Sequence, residues 1–256
     1  DAAIDFNDDL RENIAETEVD DFKKGSDLRE YWVQYDTPFW SARVGKQQIV
    51  WGESDGLRMA DIINPLDYSW HYFFPSWEDI RLNLWAAKFN YMIPRTNHSF
   101  EFVYLPNAID NGFEATVLPP AGSNWAFPGT PQSMLDAMEA SMPEKSLKNS
   151  EYGLRFRTRV GSWDVTLFDF YGRNRDPIFR EDWLARVNEG SQELFQYRWV
   201  NKLGATFNMF SNTFETVFRG ECVYTFDEPF NPVNVAQTPM PFYEKDTFAY
   251  MLGFDR

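Results

Sequence analysis

At 256 residues the chain is long enough for one large β domain or two smaller globular ones. Its formal net charge of −15 argues against a nucleic-acid partner, which would need a basic surface to replace phosphate counterions. Aromatic residues make up 18% of the chain, yet the hydrophobic fraction is an ordinary 43% and the mean hydropathy is −0.50, so no apolar run is long enough for a helix to cross hydrocarbon.

A transmembrane barrel has this profile, because only alternate residues of each strand meet lipid while aromatic girdles sit at both interfaces. The chain starts at Asp1 without a basic n-region or an apolar h-region, as a mature exported protein or an internal fragment would. Residues 1–27 are crowded with acids, among them Asp1, Asp5, Asp8, Asp9, Glu12, Glu16, Glu18, Asp20 and Asp21, and are expected to form a solvated loop or N-terminal segment. Calcium at Asp5, Asp8 and Asp9 is the sharper alternative, but the spacing lacks the glycine and closing glutamate of a calcium loop.

From residue 28 onward alternation takes over, and a barrel domain is expected over 28–256. Tyr31, Val33 and Tyr35 alternate with Glu30, Trp32 and Gln34, and a turn at Thr37-Pro38 leads to Trp40, Ala42 and Val44 alternating with Ser41 and Arg43. Trp85, Ala87, Phe89, Tyr91 and Ile93 then share one face opposite Lys88 and Asn90, and Phe100, Phe102 and Tyr104 follow as the second arm of a hairpin.

The most informative stretch is 152–171. Tyr152, Leu154, Phe156, Thr158 and Val160 occupy one face of a strand, and Gly153, Arg155, Arg157 and Arg159 the other. Gly161-Ser162 makes a two-residue turn with glycine at positive φ, and Trp163, Val165 and Leu167 resume the apolar face. This register sets Val160 opposite Trp163 and Arg159 opposite Asp164. Three arginines on one side cannot line a dry core, whereas a wet lumen on that side and lipid on the other accommodates both faces.

Tyr197, Trp199, Leu203, Ala205, Phe207 and Met209 continue the pattern, followed after a turn at 211–213 by Phe214, Thr216, Phe218, Cys222, Tyr224 and Phe226. About nine strands are expected, over about 28–36, 39–50, 82–93, 99–105, 151–160, 163–171, 194–210, 214–226 and 247–256. A closed bacterial barrel has an even number, which suggests that the barrel is incomplete in this chain. Long segments at 52–80, 106–149, 173–193 and 228–246 hold most of the Pro, Gly and Asn and read as extracellular loops alternating with short periplasmic turns. Ser133–Lys145 has the spacing of a short helix with Met134, Met138 and Met142 on one side, packing on the barrel mouth or covering it as a lid.

The stretch Val44–Ser54 (VGKQQIVWGES) followed by Ile62–Asp67 (IINPLD) resembles the signature of an outer-membrane protein family, the domain-of-unknown-function 1302 family. Pieces similar to that family recur in the same order at Ser150–Arg155, Gly161–Val165, Val217–Glu221 and Tyr250–Asp255. After Asp67 the chain departs from the family's Arg-Pro-Gly-rich continuation. The resemblance implies a porin-like barrel moving hydrophobic molecules, working with periplasmic lipid-transfer proteins, and it supplies no catalytic residues.

The candidate site is the polar face of the strands. Arg155, Arg157, Arg159, Arg198, Lys202 and Arg219, with Glu101, Glu215 and Glu221, are expected to line a lumen that draws anions such as amphiphilic carboxylates. The plainer alternative pairs those cations with Asp164, Glu101, Glu215 and Glu221 in a structural network. Ser54 would need a base to act as a nucleophile, and His71 and His98, the two histidines, lie in no context that places one; neither enzyme chemistry, a cofactor nor a metal is expected. The lone Cys222 rules out an internal disulfide and a multi-cysteine metal site.

The expected fold is thus an all-β, antiparallel transmembrane β-barrel with long extracellular loops in the bacterial outer membrane, in contact with bilayer and lipopolysaccharide. Its expected function is passage of small or hydrophobic molecules. The alternatives are a scaffold barrel in an outer-membrane complex such as an electron conduit, and a soluble β-rich carbohydrate-binding protein or hydrolase.

Overall fold

A computed structural model describes residues 29–53, 58–69, 77–110, 112–123, 130–233, 235 and 240–255. The acidic stretch 1–27, with its calcium candidates, and both Ser54 and His71 lie outside them.

Alternation yields nine strands where they were expected, β1 (Tyr31–Asp36), β2 (Trp40–Gln47), β3 (Leu84–Met92), β4 (His98–Leu105), β5 (Glu151–Val160), β6 (Trp163–Arg173), β9 (Trp199–Ser211), β10 (Thr216–Phe230) and β11 (Tyr243–Asp255), and the connection after β6 adds two short ones that alternation did not predict, β7 (Ile178–Phe179) and β8 (Phe195–Gln196). Short helices α1 (Trp77–Ile80), α2 (Gln132–Ala140) and α3 (Trp183–Asn188) lie in the connections. Nine strands form one sheet in the order β1-β2-β3-β4-β5-β6-β9-β10-β11, while β7 and β8 pair with each other alone. Every neighbouring pair is antiparallel.

In such a meander, successive connections alternate between the two ends of the sheet. The short ones, 37–39, 93–97, 161–162 and 212–215, therefore share one end, and the long ones, 48–83, 106–150, 174–198 and 231–242, share the other. Gly161 sits at φ +62° in the β5–β6 turn, where a side chain would be strained. Val160 pairs with Trp163 and Arg159 with Asp164, the register read from the alternation.

The expected boundaries shift at several strand ends: β1 starts at Tyr31 and not at 28, and β11 at Tyr243 and not at 247. β2 stops at Gln47 instead of running to residue 50, because Gln48–Trp51 turn away from the sheet. β9 starts at Trp199 instead of 194, and the segment before it supplies β8 of the loop hairpin. β10 runs past Phe226 to Phe230. Proline cannot donate to a ladder, so Pro229 reads as a strand end. A bulge between Thr225 and Glu228 lets pairing resume as Glu228↔Lys245 and Pro229↔Glu244.

The two faces of the sheet differ sharply. On β5, β6 and β9 the apolar rows stay open, with Leu154, Leu167 and Leu203 exposed by 49%, 52% and 51%, whereas Arg155 and Glu101 on the opposite face are each 5% exposed. The polar face is the covered one. Its cover is the β2–β3 connection, whose Ile49, Trp51, Ala60 and Ile63 pack with Leu84, Ala86, Val103, Leu105, Phe168, Phe170 and Val223 in one core cluster. Here the alternation read from sequence breaks down. Phe168 and Phe170 project onto the covered face to meet Trp51, and Asp169 takes the open face between Leu154 and Leu203.

Candidate functional site

The interior is organised around the segment that follows β2. Trp51 is 1% exposed and lies flat over Gly153 of β5, where an added Cβ would come within 2.5 Å of the indole Cη2. Phe168 and Phe170 hold it from β6, with ring centroids 5.4 and 6.4 Å away. Its indole Nε1–H donates to Glu101 Oε1 at 2.8 Å, and Arg155 Nη2 lies 2.7 Å from that same oxygen. Arg155 Nη1 also donates to the Val50 carbonyl at 3.3 Å. A buried guanidinium is thus matched by one carboxylate and one carbonyl, which a group withdrawn from water requires.

Two residues further on, the chain is tied to the far side of the sheet. Glu221 of β10 accepts from the backbone N–H of Glu53 at 2.5 Å and from that of Ala60 at 2.9 Å, clamping both ends of the 53–60 stretch. Gly52 lets Asp61 approach: a Cβ at Gly52 would stand 3.0 Å from the Asp61 nitrogen. Asp61 in turn accepts from Arg58 Nε at 2.9 Å and Arg81 Nε at 2.6 Å. Arg175 completes the cover from the β6–β9 connection. It donates to Glu151 at 2.8 Å and to the carbonyls of Ile63 and Glu114 at 3.2 and 3.1 Å. The segment, hereafter the plug, is therefore packed on the covered face of the sheet and fastened to β4, β5, β6 and β10.

The nominated residues separate into groups. Glu101, Arg155 and Glu221 come together at the plug. Arg159 pairs with Asp164 at 2.6 Å in the open near the β5–β6 turn. Arg219 lies on the covered face, 3.2 Å from Asp255. Lys202 faces the same side, between Phe170 and Thr225, and Arg157 between Ser99 and Thr166; among the described residues neither has a carboxylate within 4.0 Å. Two residues leave the set. Arg198 precedes β9 and bonds Glu244 at 2.5 Å on the loop side, and Glu215 sits exposed in the β9–β10 turn at φ +49°. A turn that must reverse the chain takes its residue out of the strand's alternation, so neither side of the sheet claims Glu215.

Sequence reasoning passed over Arg58, Asp61, Arg81 and Arg175, since loop residues have no periodicity to reveal a partner, and over Glu151, the first residue of β5, whose partner Arg175 lies in a loop. Arg43 and Lys88 were placed on the polar face but not nominated. They face each other directly across β2 and β3. His98 stands on the open face, 2.7 Å from Thr158 Oγ1, away from the plug.

At the long-loop end, α2 docks on β8: Ser141 Oγ accepts from the Phe195 N–H at 3.0 Å, and Tyr197 donates to the Met138 carbonyl at 3.2 Å. Burial, with Asp176 and Glu139 nearby, holds the Tyr197 phenol above its ordinary range, so it stays a donor. Met134 and Met138 are half-buried there and Met142 is exposed beyond the helix. A cavity of about 700 Å³ opens beside them, lined by Met142, Arg173, Tyr197 and Trp199 among others.

The family model described as a protein of unknown function, DUF1302, matches residues 2–256. The chain belongs to the DUF1302 family. The match extends over the acidic start as well as the strands. No curated protein and no solved structure matches the chain. The pieces that resemble the family signature have physical roles: Trp51-Gly52-Glu53 is the plug, Ser150–Arg155 supplies Gly153 and Arg155 that receive it and Glu151 that holds Arg175, and Val217–Glu221 brings the Glu221 clamp.

Proposed function

We propose that this DUF1302 chain forms a transmembrane β-barrel of the bacterial outer membrane, through which small or hydrophobic molecules, anionic amphiphiles among them, pass. One observation carries the reading: the open face of the nine-stranded sheet is apolar, and the covered face holds the ion pairs. Tyr104, Phe102 and Phe100 on β4 continue into Tyr152, Leu154 and Phe156 on β5 and into Tyr171, Asp169 and Leu167 on β6, with one carboxylate in the whole tract. A soluble sheet would orient these faces the other way, since water favours the charges and burial favours the rings.

Aromatic side chains bracket the tract. Trp163 marks the short-turn end of β6; Tyr171, stacked on Trp199 with centroids 5.0 Å apart, marks the long-loop end. Eight residues separate them, roughly 26 Å along an extended strand at about 3.3 Å per residue. At a tilt of about 35–45° this rises about 19–22 Å, most of an apolar band about 25 Å tall, and the nine residues from Trp163 to Tyr171 inclusive match the short end of the roughly 9–11 that a tilted membrane strand uses. The surroundings proposed for it are lipid and lipopolysaccharide outside, and lipid-transfer proteins on the periplasmic side.

The packed plug supports a second reading, a scaffold barrel within an outer-membrane complex, because Trp51 and its neighbours narrow any passage. Membrane fractionation with heat-modifiable gel mobility tests the barrel. Planar-bilayer recordings test passage, and co-purified partner proteins would favour the scaffold. Recovery in the aqueous fraction without detergent would overturn both readings and leave a soluble β-rich binding protein or hydrolase.

A further inference from the structure

Within a chain of net charge −15, one part of the covered face holds more cations than carboxylates: Arg43, Lys88, Arg155 and Arg157 against Glu101 and Asp36. Arg43 of β2 and Lys88 of β3 stand directly opposite each other. Like charges in that relation destabilise an antiparallel pair, so an ordinary sheet would place a carboxylate between or beside them. Two carboxylates are at hand and both are engaged: Glu101, diagonal to Lys88 across β3 and β4, by Arg155 Nη2 at 2.7 Å and Trp51 Nε1 at 2.8 Å, and Asp36, diagonal to Arg43 across β1 and β2, by Gln34 Nε2 at 2.7 and 2.9 Å. Arg43 is held by neutral partners alone among the described residues, donating to Gln34 Oε1 at 2.6 Å and lying 3.8 Å over the Trp32 ring. Lys88 is buried enough to be desolvated, and it feels the attraction of Glu101 together with the repulsion of Arg43, Arg155 and Arg157.

Arg157 lies two residues nearer the short-turn end than Arg155 and is exposed. Its cross-strand neighbours are the hydroxyl residues Ser99 and Thr166, and Asn90 lies beside Lys88 on the same face. Ammonium and guanidinium groups without carboxylates, interspersed with hydroxyl and amide donors, form an inventory that an oxyanion completes. Among the other nominated cations, Arg155, Arg159, Arg198 and Arg219 have carboxylate partners in Glu101, Asp164, Glu244 and Asp255, and Lys202 stands apart from the cluster on β9, beyond Phe170 of β6.

We infer that Arg43 and Lys88, level with the Trp51 plug, and Arg157, nearer the short turns, form an anion-binding vestibule beside that plug, taking a carboxylate or phosphate group. This deepens the proposed passage of anionic amphiphiles and rests on that reading for its physiological sense. The site itself needs only the inner-face geometry.

The test uses the full chain folded in a nonionic detergent, with inorganic phosphate as the probe and its 31P line width as the readout. The folded wild type is expected to broaden the resonance, and added chloride to reverse the effect, as screening requires. Lys88→Gln with Arg157→Gln should weaken binding by about tenfold or more, the loss of at least about 1.4 kcal/mol. Each single variant should give a partial loss, and Arg159→Gln, whose partner is Asp164, none. Because the double variant relieves a like-charge contact, it should retain its heat-modifiable mobility. Absence of broadening with folded wild type, or equal binding by the double variant, overturns the vestibule. Bilayer recordings separate this outcome from the proposed passage: phosphate binding without current rejects passage and keeps the site, whereas current without phosphate binding does the reverse.

Discussion

The Trp51 indole and the Arg155 guanidinium share one acceptor, Glu101 Oε1, at 2.8 and 2.7 Å. Arg155 also lies 5.5 Å from the centre of the Trp51 ring, so plug, β4 and β5 meet at a single joint. Because both ionic partners are buried, removing one leaves the other charged and unmatched.

Glu101→Gln is therefore expected to cost about 3–5 kcal/mol, the usual penalty for breaking a buried pair. Replacing both partners with apolar residues, as in Glu101→Leu with Arg155→Met, should cost less than the sum of the single changes. Urea-induced unfolding of the chain in lipid vesicles, run as a double-mutant cycle, measures the difference.

Gly153→Val puts side-chain atoms where the Trp51 indole lies, since even a Cβ would approach Cη2 to 2.5 Å. Overpacking of this kind costs about 1–3 kcal/mol. The expected result is a lower temperature for the heat-modifiable gel shift. Trp51→Ala relieves the contact instead, and the combination with Gly153→Val should be less than additive.

Leu154 is half exposed at the centre of the open apolar face, flanked by Phe102 and Asp169. In a bilayer, Leu154→Arg should lower folding stability by about 2–4 kcal/mol, as for a cation near the midplane. On a water-facing surface the same change would stay within about 0.5 kcal/mol. Folding yield into vesicles decides between the two, and a near-neutral Leu154→Arg would count heavily against lipid on that face.

Hydrogen bonds from Arg186 and Arg180 hold the Asp182 carboxyl below its usual range at the start of α3. A carboxylate depressed on folding stabilises the native state above its unfolded pKa, and this contribution is lost as pH falls through the depressed folded value. Protection of the α3 amides, taken relative to the intrinsic exchange rate at each pH, should thus fall on acidification, and in Asp182→Asn it should be low and independent of pH.

Much of the sheet was legible because alternation is a local property. On β5 and β6, period two and the Gly161-Ser162 turn specify strand, face and register together, down to Val160 opposite Trp163. The register pinned Arg159 to Asp164 for the same reason. Where a strand's neighbours are not local, the reading stopped short: the bulge that carries β10 through Pro229 is set by pairing with β11, and no signal within 226–230 announces it.

By itself, then, the amino-acid sequence determined the antiparallel meander, the end at which the short turns lie and the polarity of each face, because side-chain direction alternates with every residue. Only the tertiary structure decided what fills the polar side. Trp51 meets Glu101 across 50 residues and the Glu53 N–H meets Glu221 across 168, and long loops leave such encounters unconstrained by chain proximity. The partition of the arginines into neutralised pairs and the unmatched Arg43, Lys88 and Arg157 was settled at that same level, since a charge is compensated by what lies near it in space.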